Sequence, residues 1–347
     1  MYKDHDKENM YGSIWNFPDN LKDALTIGEN ISLKNKYYNI QNIVIAGMGG
    51  SAIGGDIVAI LEEQNIKIPY LVCRDYNVPK WVNSNSLVIC SSYSGNTEET
   101  ISAFHKSKDR GASICGITTG GKLLKLLENH KKDYVKIPKG LQPRAAVAFS
   151  FIPIIKLIEK IGLVNSNLKF WFEETVNTLN NNRVYYGSEG NKNPVYLLAN
   201  KLYKKIPIIY SDSSTMRVNA VRLKGQLNEN GKMLAYFNEL PELNHNEIVG
   251  WQNNQEIFEH LCVLWLEDES DTSRTKIRKK ITESILNETN ISQYSIKVEG
   301  DSFQERFLNM VHFGDWLSYW CAILHKTDPS PVKKIVRLKN ELNERID

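Results

Sequence analysis

The sequence lacks the features that define several large classes of protein. Its 347 residues contain no run of about 18 consecutive apolar residues, so we expect no transmembrane helix. The opening MYKDHDKENMYGSIW lacks the apolar core of a secretory signal, and a cytoplasmic location is therefore expected. The net charge of +3 is spread along the chain. It gives no reason to expect a nucleic-acid or acidic membrane partner.

Cysteine is scarce and shows no paired spacing. The five cysteines are odd in number, form no C-x-x-C pair, and mostly lie inside apolar runs: Cys73, Cys90, Cys115, Cys262 and Cys321. This distribution favours buried free thiols over a disulfide framework or a zinc site. The lysine-containing phosphate loop G-K-[ST] is also absent, so a P-loop nucleotide site is excluded.

Strand-like apolar runs alternate with amphipathic stretches along the chain. The runs at 42–47, 68–73 and 86–92 are each followed by a polar or helical segment. This order predicts an α/β fold in which helices flank a mostly parallel sheet. The length predicts two such domains, which we place at residues 1–165 and 166–347. The polar stretch at 180–193 is interpreted as a boundary loop, after which a less regular copy of the pattern begins.

A glycine-rich turn follows the first predicted strand. In AGMGGSAIGGD, Gly47, Gly49 and Gly50 precede Ser51 at the expected start of a helix. Such a turn lets the backbone approach a ligand, and the helix N-terminus favours an anion. The same letters fit the G-x-G-x-x-A pattern of a dinucleotide-binding fold, with Asp75 after the second strand as its ribose-binding acid. A plain tight turn is the third interpretation.

A hydroxyl-rich turn follows the third predicted strand. The segment SSYSGNTEET carries Ser92, Ser94 and Thr97 at the carboxyl end of that strand, where open α/β sheets bind ligands. Neutral hydroxyl and backbone N–H donors at a helix N-terminus hold a phosphate without a lysine. A helix cap at Asn96 or Thr97 with solvated serines is the alternative, but one cap explains only one or two of these residues.

These two turns together resemble the sugar isomerase (SIS) domain family. GMGGS and, about forty residues later, SYSGNTEET carry that resemblance. Further on, QPRAA, QLNEN and PELNHNEIVGW resemble the bifunctional phosphoglucose/phosphomannose isomerases, over residues from about 40 to 340. The resemblance implies two SIS-type, flavodoxin-like domains. It also implies isomerisation of glucose 6-phosphate and mannose 6-phosphate to fructose 6-phosphate, without a cofactor or metal, in a homodimer with shared active sites.

The resemblance assigns the proton-transfer chemistry to two residues. Glu229 in LNENGK corresponds to the base that moves a proton between C2 and C1, a task that suits a partly buried carboxylate. Arg144 in LQPRAA corresponds to a residue that binds substrate and stabilises the negative charge of the enediolate. A cation near a helix start is unfavourable to the helix dipole, which favours a functional role for Arg144.

The same resemblance assigns ring opening to His245 in ELNHNE. In related isomerases the corresponding histidine reaches into the active site of the neighbouring subunit. Lys339 in IVRLKNEL matches the lysine that assists ring opening in the family. Because the C-terminal segment is rich in basic residues, three others remain possible for that role: Lys333, Lys334 and Arg337.

The substrate itself is expected on the two turns, at Gly50, Ser51, Ser92, Ser94 and Thr97, with the serine–threonine turn on the phosphate. Two other functions stay open at this point. A non-catalytic sugar-phosphate-binding SIS module would keep the turns but is expected to lack Glu229 and His245, and a dinucleotide-dependent dehydrogenase would bind pyrophosphate at the first turn. A zinc-dependent phosphomannose isomerase is set aside, because its clustered histidine and glutamate ligands are missing.

Overall fold

The computed structural model describes residues 4–345. The chain packs into two compact units. The N unit consists of Asn16–Asn180 with Gly300–Glu305, and the C unit of the described parts of Met1–Trp15, Asn181–Glu299 and Arg306–Asp347. These bounds differ from 1–165 and 166–347 for the first fifteen residues, for 166–180 and for 300–305. The division into SIS domains at residue 165 stays a prediction.

Helices and strands alternate through most of the chain. The helices are α1 (Met10–Trp15), α2 (Phe17–Glu29), α3 (Gly49–Leu61), α4 (Glu98–Asp109), α5 (Gly121–Asn129), α6 (Ala148–Lys160), α7 (Leu168–Tyr186), α8 (Pro194–Leu202), α9 (Arg217–Glu229), α10 (Glu247–Gly250), α11 (Ser273–Asn287), α12 (Phe303–Leu324) and α13 (Lys333–Glu344). The strands are β1 (Asn42–Ala46), β2 (Tyr70–Cys73), β3 (Ser86–Ser92), β4 (Ser113–Thr118), β5 (Asp133–Lys136), β6 (Ile206–Asp212), β7 (Tyr236–Leu240), β8 (Leu261–Glu267) and β9 (Ser292–Lys297).

The N unit is built on a five-stranded parallel sheet in the order β2-β1-β3-β4-β5. The chain moves outward from β1 to β2 and then returns to place β3 on the other side of β1. The strand order therefore reverses between β1 and β3, which is the position where such sheets form a ligand-binding crevice. Both predicted turns leave the carboxyl ends of these two strands.

The core of the N unit is built around its central strand, β3. All seven residues of β3 are buried, as expected for a parallel strand that is covered on both faces. Val88 and Cys90 pack with Phe104 of α4 in one buried apolar cluster. Burial raises the pKa of the Cys90 thiol to about 12, so this cysteine is a neutral packing residue. The five cysteines are all free and buried, which confirms that prediction.

The C unit contains a smaller parallel sheet in the order β7-β6-β8-β9. Its core joins Tyr210, Val263 and Trp265 of the sheet to Leu286 of α11. Two parallel sheets flanked by helices confirm the predicted fold class. None of the helices in the described part of the chain combines the length and apolar character needed to cross a bilayer.

Two local predictions were wrong. Residues 180–186 were interpreted as part of a loop, but they continue α7. That helix buries Phe172, Val176 and Leu179 at helical spacing, and its polar residues are tolerated on the other face. The second error concerns Arg144, which was expected at the start of a long apolar helix. That helix, α6, begins only at Ala148, and Arg144 lies in a separate 3-10 turn, Pro143–Ala145.

Candidate active site

The first turn brings the end of β1 against the end of β3. A Cβ atom added to Gly47 would lie 2.9 Å from the carbonyl oxygen of Ser91, so glycine permits this close approach. Gly49 starts α3 with a φ of +50°, which glycine adopts readily. Ser51 is buried, and its hydroxyl accepts a hydrogen bond from the backbone N–H of Tyr93 at 3.2 Å. The two predicted turns are therefore joined through Ser51.

The second turn carries its hydroxyls on the inside and at the rim of the crevice. The hydroxyls of Ser92 and Thr97 lie 2.8 Å apart, and that of Ser92 also accepts from the N–H of Gly95 at 3.1 Å. Ser94 is exposed, and its hydroxyl accepts from the N–H of Asn96 at 3.2 Å. Thr97 occupies the N-cap position of α4 but makes no side-chain cap bond. The capping interpretation therefore does not account for its hydroxyl.

The backbone behind the second turn fixes its shape. Gly95 has a φ of +69°, and a Cβ atom there would lie 1.8 Å from the carbonyl oxygen of Gly120. The side-chain oxygen of Asn96 accepts from the N–H of Lys122 at 3.0 Å. These contacts make the turn rigid before a ligand arrives, which lowers the entropic cost of binding. Asn96 was considered only as a cap, and this supporting role was not predicted.

Tyr93 is a second residue of this turn whose role was not predicted. Its phenol oxygen accepts from the N–H of Leu141 at 3.0 Å, while its own N–H donates to Ser51. Burial raises the pKa of Tyr93, so the phenol is neutral. The residue thus ties the second turn both to the first turn and to the segment that leads to Arg144. The sequence indicated a role for Tyr93 only through its position between two serines of the motif.

Arg144 lies next to the first turn. The Cβ atom that Gly50 lacks would lie 2.8 Å from the carbonyl oxygen of Pro143 and 3.6 Å from the Cα of Arg144. Arg144 is only 4% exposed, so it is not a surface arginine of a helix start. A buried guanidinium needs partners, and it remains charged at any physiological pH. The N unit therefore brings Gly50, Ser51 and Arg144 to the same end of the sheet.

Asp75, the ribose-binding acid of the dinucleotide interpretation, forms a local turn instead. One of its carboxylate oxygens accepts from the N–H of Asn77 at 3.0 Å, and the residue is exposed. Such a turn is a common structural use of aspartate. Within residues 4–345, no group of three or more histidine, cysteine or acidic side chains is arranged to hold a metal ion.

Glu229 is the last residue of α9 in the C unit. It is partly buried, and its backbone carbonyl accepts from the ammonium group of Lys232, which also donates to the carbonyl of Pro329 at 2.9 Å. The next residue, Asn230, is fully buried and donates through its side chain to Ser318 at 3.0 Å. The end of this helix is therefore held at the backbone of Glu229 and at the residue that follows it.

His245 ends a short 3-10 helix, Glu242–His245, in the same unit. Its neighbours are anchored: Asn244 donates to the hydroxyl of Thr282 at 2.9 Å, and Asn246 donates to Glu242 at 2.7 Å. His245 itself is exposed. The loop therefore presents the imidazole on the surface of the C unit.

Lys339 lies on α13, and it is exposed. On the same helix Arg337 forms an ion pair with Glu341 at 2.6 Å. Four apolar side chains of α13 are also exposed: Ile335, Val336, Leu338 and Leu342. Within the C unit, Glu229, His245 and Lys339 thus belong to three different elements. The N unit brings the residues predicted to bind substrate and Arg144 to one crevice.

Comparison with known proteins identifies the family. The chain is 44% identical over 337 residues to the bifunctional phosphoglucose/phosphomannose isomerase of Caldicellulosiruptor bescii, with 96% of this chain and 99% of the relative covered. The chain belongs to the bifunctional phosphoglucose/phosphomannose isomerase family. The corresponding protein of Aquifex aeolicus is 38% identical, with 88% and 91% covered. Residues 191–342 match the bacterial phospho-glucose isomerase C-terminal SIS domain.

Solved structures agree with the fold of this isomerase family. The C-terminal domain of glucosamine-fructose-6-phosphate aminotransferase from Francisella tularensis aligns with a TM-score of 0.68 at 15% identity, covering 93% of this chain and 98% of that one. Tagatose-6-phosphate ketose/aldose isomerase from Escherichia coli aligns with a TM-score of 0.65 at 15% identity, covering 93% and 95%. At this level of identity the likeness concerns the fold alone.

Proposed function

We propose that the protein interconverts glucose 6-phosphate, and also mannose 6-phosphate, with fructose 6-phosphate through ring opening and a cis-enediol intermediate. Family membership carries the proposal, since a relative named for both activities shares 44% identity over nearly its whole length. The crevice in the N unit supports it, because its hydroxyl-rich turn fits the phosphate that these substrates share.

The phosphate binds at the turn after β3. Ser92, Ser94 and Thr97 supply hydroxyl donors at the N-terminus of α4, a helix of twelve residues. The helix dipole and free N–H groups there favour a dianion. Ser92 and Thr97 now share a hydrogen bond, and each hydroxyl turns toward the phosphate when the substrate is bound. Gly50 and Ser51 of the first turn complete the binding site.

Glu229 and Arg144 carry out the proton transfer. The carboxylate of Glu229 removes the proton from C2 of the open-chain aldose, the C2–H electron pair forms the C1–C2 double bond, and the carbonyl electron pair moves onto O1 to give an enediolate. The hydroxyl proton of C2 then passes to O1, and Glu229 returns its proton to C1 as the carbonyl forms at C2. The buried guanidinium of Arg144 balances the negative charge on the enediolate oxygen. C2 is planar in this intermediate, so glucose 6-phosphate and mannose 6-phosphate lead to the same species.

His245 and Lys339 open the sugar ring. The imidazole accepts the proton of the anomeric hydroxyl and passes a proton to the ring oxygen as the bond between C1 and that oxygen breaks, and Lys339 assists this step. The exposure of His245 on an anchored loop supports a role in the site of a neighbouring subunit. The active unit is then a homodimer with shared sites, built from SIS domains 1–165 and 166–347, working in the cytoplasm without a cofactor.

An assay with both sugars and with EDTA present tests this function. Purified protein should form fructose 6-phosphate from glucose 6-phosphate and from mannose 6-phosphate, and Glu229→Gln should abolish both activities. Glu288→Gln is the matched control, since Glu288 is an exposed glutamate at the end of α11. Turnover of glucose 6-phosphate alone contradicts the dual specificity. Tight sugar-phosphate binding without turnover indicates a non-catalytic module, and protection by a nicotinamide dinucleotide alone indicates a dehydrogenase.

A further inference from the structure

A buried set of polar side chains joins α9 to α12 in the C unit. We name it the α9–α12 ladder and define it by Arg222, Gln226 and Asn230 on one side and Asp315 and Ser318 on the other. All five residues are at most 5% exposed. The three residues of the first side are spaced at four-residue intervals, so they lie on one face of the helix. Glu229 falls between the last two of them.

The ladder is continuous from residue to residue. Arg222 donates to both carboxylate oxygens of Asp315, at 2.8 and 2.7 Å, and Gln226 donates to one of them at 2.7 Å. The side chain of Asn230 donates to the hydroxyl of Ser318 at 3.0 Å. That hydroxyl in turn donates to the backbone carbonyl of Asp315 at 2.7 Å. Each of these hydrogen bonds therefore connects to Asp315, either directly or through Ser318.

Stability alone does not explain this arrangement. Two charges taken out of water cost several kcal/mol each, and replacement of such a buried pair by apolar residues is often neutral or stabilising. Apolar packing between two helices is adjustable, however, whereas hydrogen bonds are directional and fix one register. A buried network of hydrogen bonds therefore specifies one position of a helix more sharply than apolar contacts do.

We infer that the α9–α12 ladder, and Asp315, Asn230 and Ser318 in particular, positions Glu229 for proton transfer. This inference rests on the proposed role of Glu229 as the base. Gln226 is anchored to Asp315 three residues before Glu229, and Asn230 is anchored to Ser318 one residue after it. A helix end held on both sides of the base cannot rotate or slide, and its carboxylate keeps its place relative to the reacting carbon. None of the ladder residues itself touches substrate in this account.

The test removes the hydrogen bond between Asn230 and Ser318, which lies next to Glu229, and leaves the buried charges in place. Asn230→Ala, Ser318→Ala and the double variant should each lower kcat about 10- to 100-fold, because a displacement of about 1 Å at the base has an effect of that size. KM for glucose 6-phosphate should stay within about twofold, since the phosphate turn is untouched. The double variant should be no slower than the slower single variant, because both changes delete the same bond.

Asn219→Ala is the matched control on the same helix pair. Asn219 donates to the backbone carbonyl of Phe307 at 3.3 Å, ten residues and ~15 Å along α9 from Glu229. Its loss should lower the melting temperature about as much as Ser318→Ala while kcat stays at the wild-type value.

Three results would overturn the inference. Wild-type kcat in Asn230→Ala and Ser318→Ala shows that the ladder only stabilises the fold. An equal loss of kcat in Asn219→Ala shows that general loosening is responsible, and additive losses in the double variant show that the two residues act separately. Glu229→Gln, measured alongside, separates these results from a failure of the proposed function: if that variant keeps its turnover, the assignment of the base is itself wrong.

Discussion

The backbone of Gly50 lies so close to Pro143 that a Cβ atom on the glycine would come within 2.8 Å of the proline carbonyl oxygen. This contact sets the first turn of the crevice directly beside the 3-10 turn that carries Arg144. The guanidinium and the hydroxyl of Ser51 are consequently held at one end of the N-unit sheet. The contact connects a glycine of the motif with a charged residue almost a hundred positions later.

Gly50→Ala should therefore impair catalysis more than it impairs folding. The added methyl group must push the 143–145 turn away, which displaces Arg144, and we expect kcat/KM to fall about 10- to 100-fold. Gly55→Ala is the control on the same helix, because its Cβ would lie 3.0 Å from side-chain atoms of Ile45 and Val72 in the sheet and not against the segment that carries Arg144. It should lower the melting temperature and leave kcat/KM nearly unchanged. Full activity of Gly50→Ala would contradict the role of this contact.

Thr97→Val should weaken substrate binding. Valine keeps the shape of threonine but lacks the hydroxyl that pairs with Ser92, and one hydrogen bond to a charged phosphate corresponds to about 10- to 100-fold in KM. The measurement is KM for glucose 6-phosphate by steady-state kinetics. Ser102→Ala on the same helix is the control, since that hydroxyl donates to the carbonyl of Tyr76. An unchanged KM in Thr97→Val would remove this residue from the phosphate site.

Lys339→Met should slow turnover if this lysine assists ring opening. We expect kcat to fall about 10-fold or more, because loss of one acid–base group costs at least that much. Lys334→Met provides the comparison, since both lysines are exposed on α13 and the sequence alone left either possible. The reverse result, with Lys334→Met slow and Lys339→Met normal, would assign ring opening to the other lysine.

Protonation of His312 should contribute to acid unfolding. Burial lowers its pKa from 6.5 to about 3, with a smaller contribution from Arg183, and Trp316 donates to its Nε2 at 2.9 Å. Below pH 6.5 the unfolded chain binds a proton that the folded chain binds only near pH 3. The free energy of unfolding therefore falls as the pH is lowered through this range, by roughly 2 kcal/mol between pH 6.5 and pH 5.

Urea unfolding at pH 7 and at pH 5 measures this effect. In His312→Phe the loss of unfolding free energy over that interval should be smaller than in the wild type. His260→Asn, at a histidine whose side chain is 66% exposed, is the control and should show the wild-type loss. Equal losses in all three proteins would show that His312 does not contribute.

The sequence predicted the sheets and the crevice better than it predicted the surroundings of the proposed catalytic residues. Apolar runs identified β1 and β3, and strand order placed both turns at one crevice because parallel strands share their carboxyl edge. The edge strand β7 was missed because most of its residues are only partly buried, which leaves no apolar run to detect. The sequence did not indicate that Arg144 is buried, because its neighbour Gly50 lies almost a hundred residues earlier in the chain.

The α9–α12 ladder could not be predicted from the sequence, for a related reason. Asp315 stands in the aromatic segment FGDWLSYW, and the periodicity of that segment indicates packing but does not reveal a partner for the charge. Arg222 is 93 residues away in sequence. Buried ion pairs between distant helices leave no local pattern, so only the structure could join these two residues. The only indication in the segment was Asp315 itself, because a single acidic residue in a buried aromatic helix requires a partner.

The most direct test of the central claim follows hydrogen during a single conversion of glucose 6-phosphate in D₂O. If a carboxylate base carries the proton between C2 and C1, some of it exchanges with solvent, and NMR should find deuterium at C1 of the fructose 6-phosphate formed. Glu229→Gln should show neither turnover nor exchange. Rapid turnover with no deuterium in the product, or exchange that survives in Glu229→Gln, would contradict an enediol pathway with Glu229 as its base.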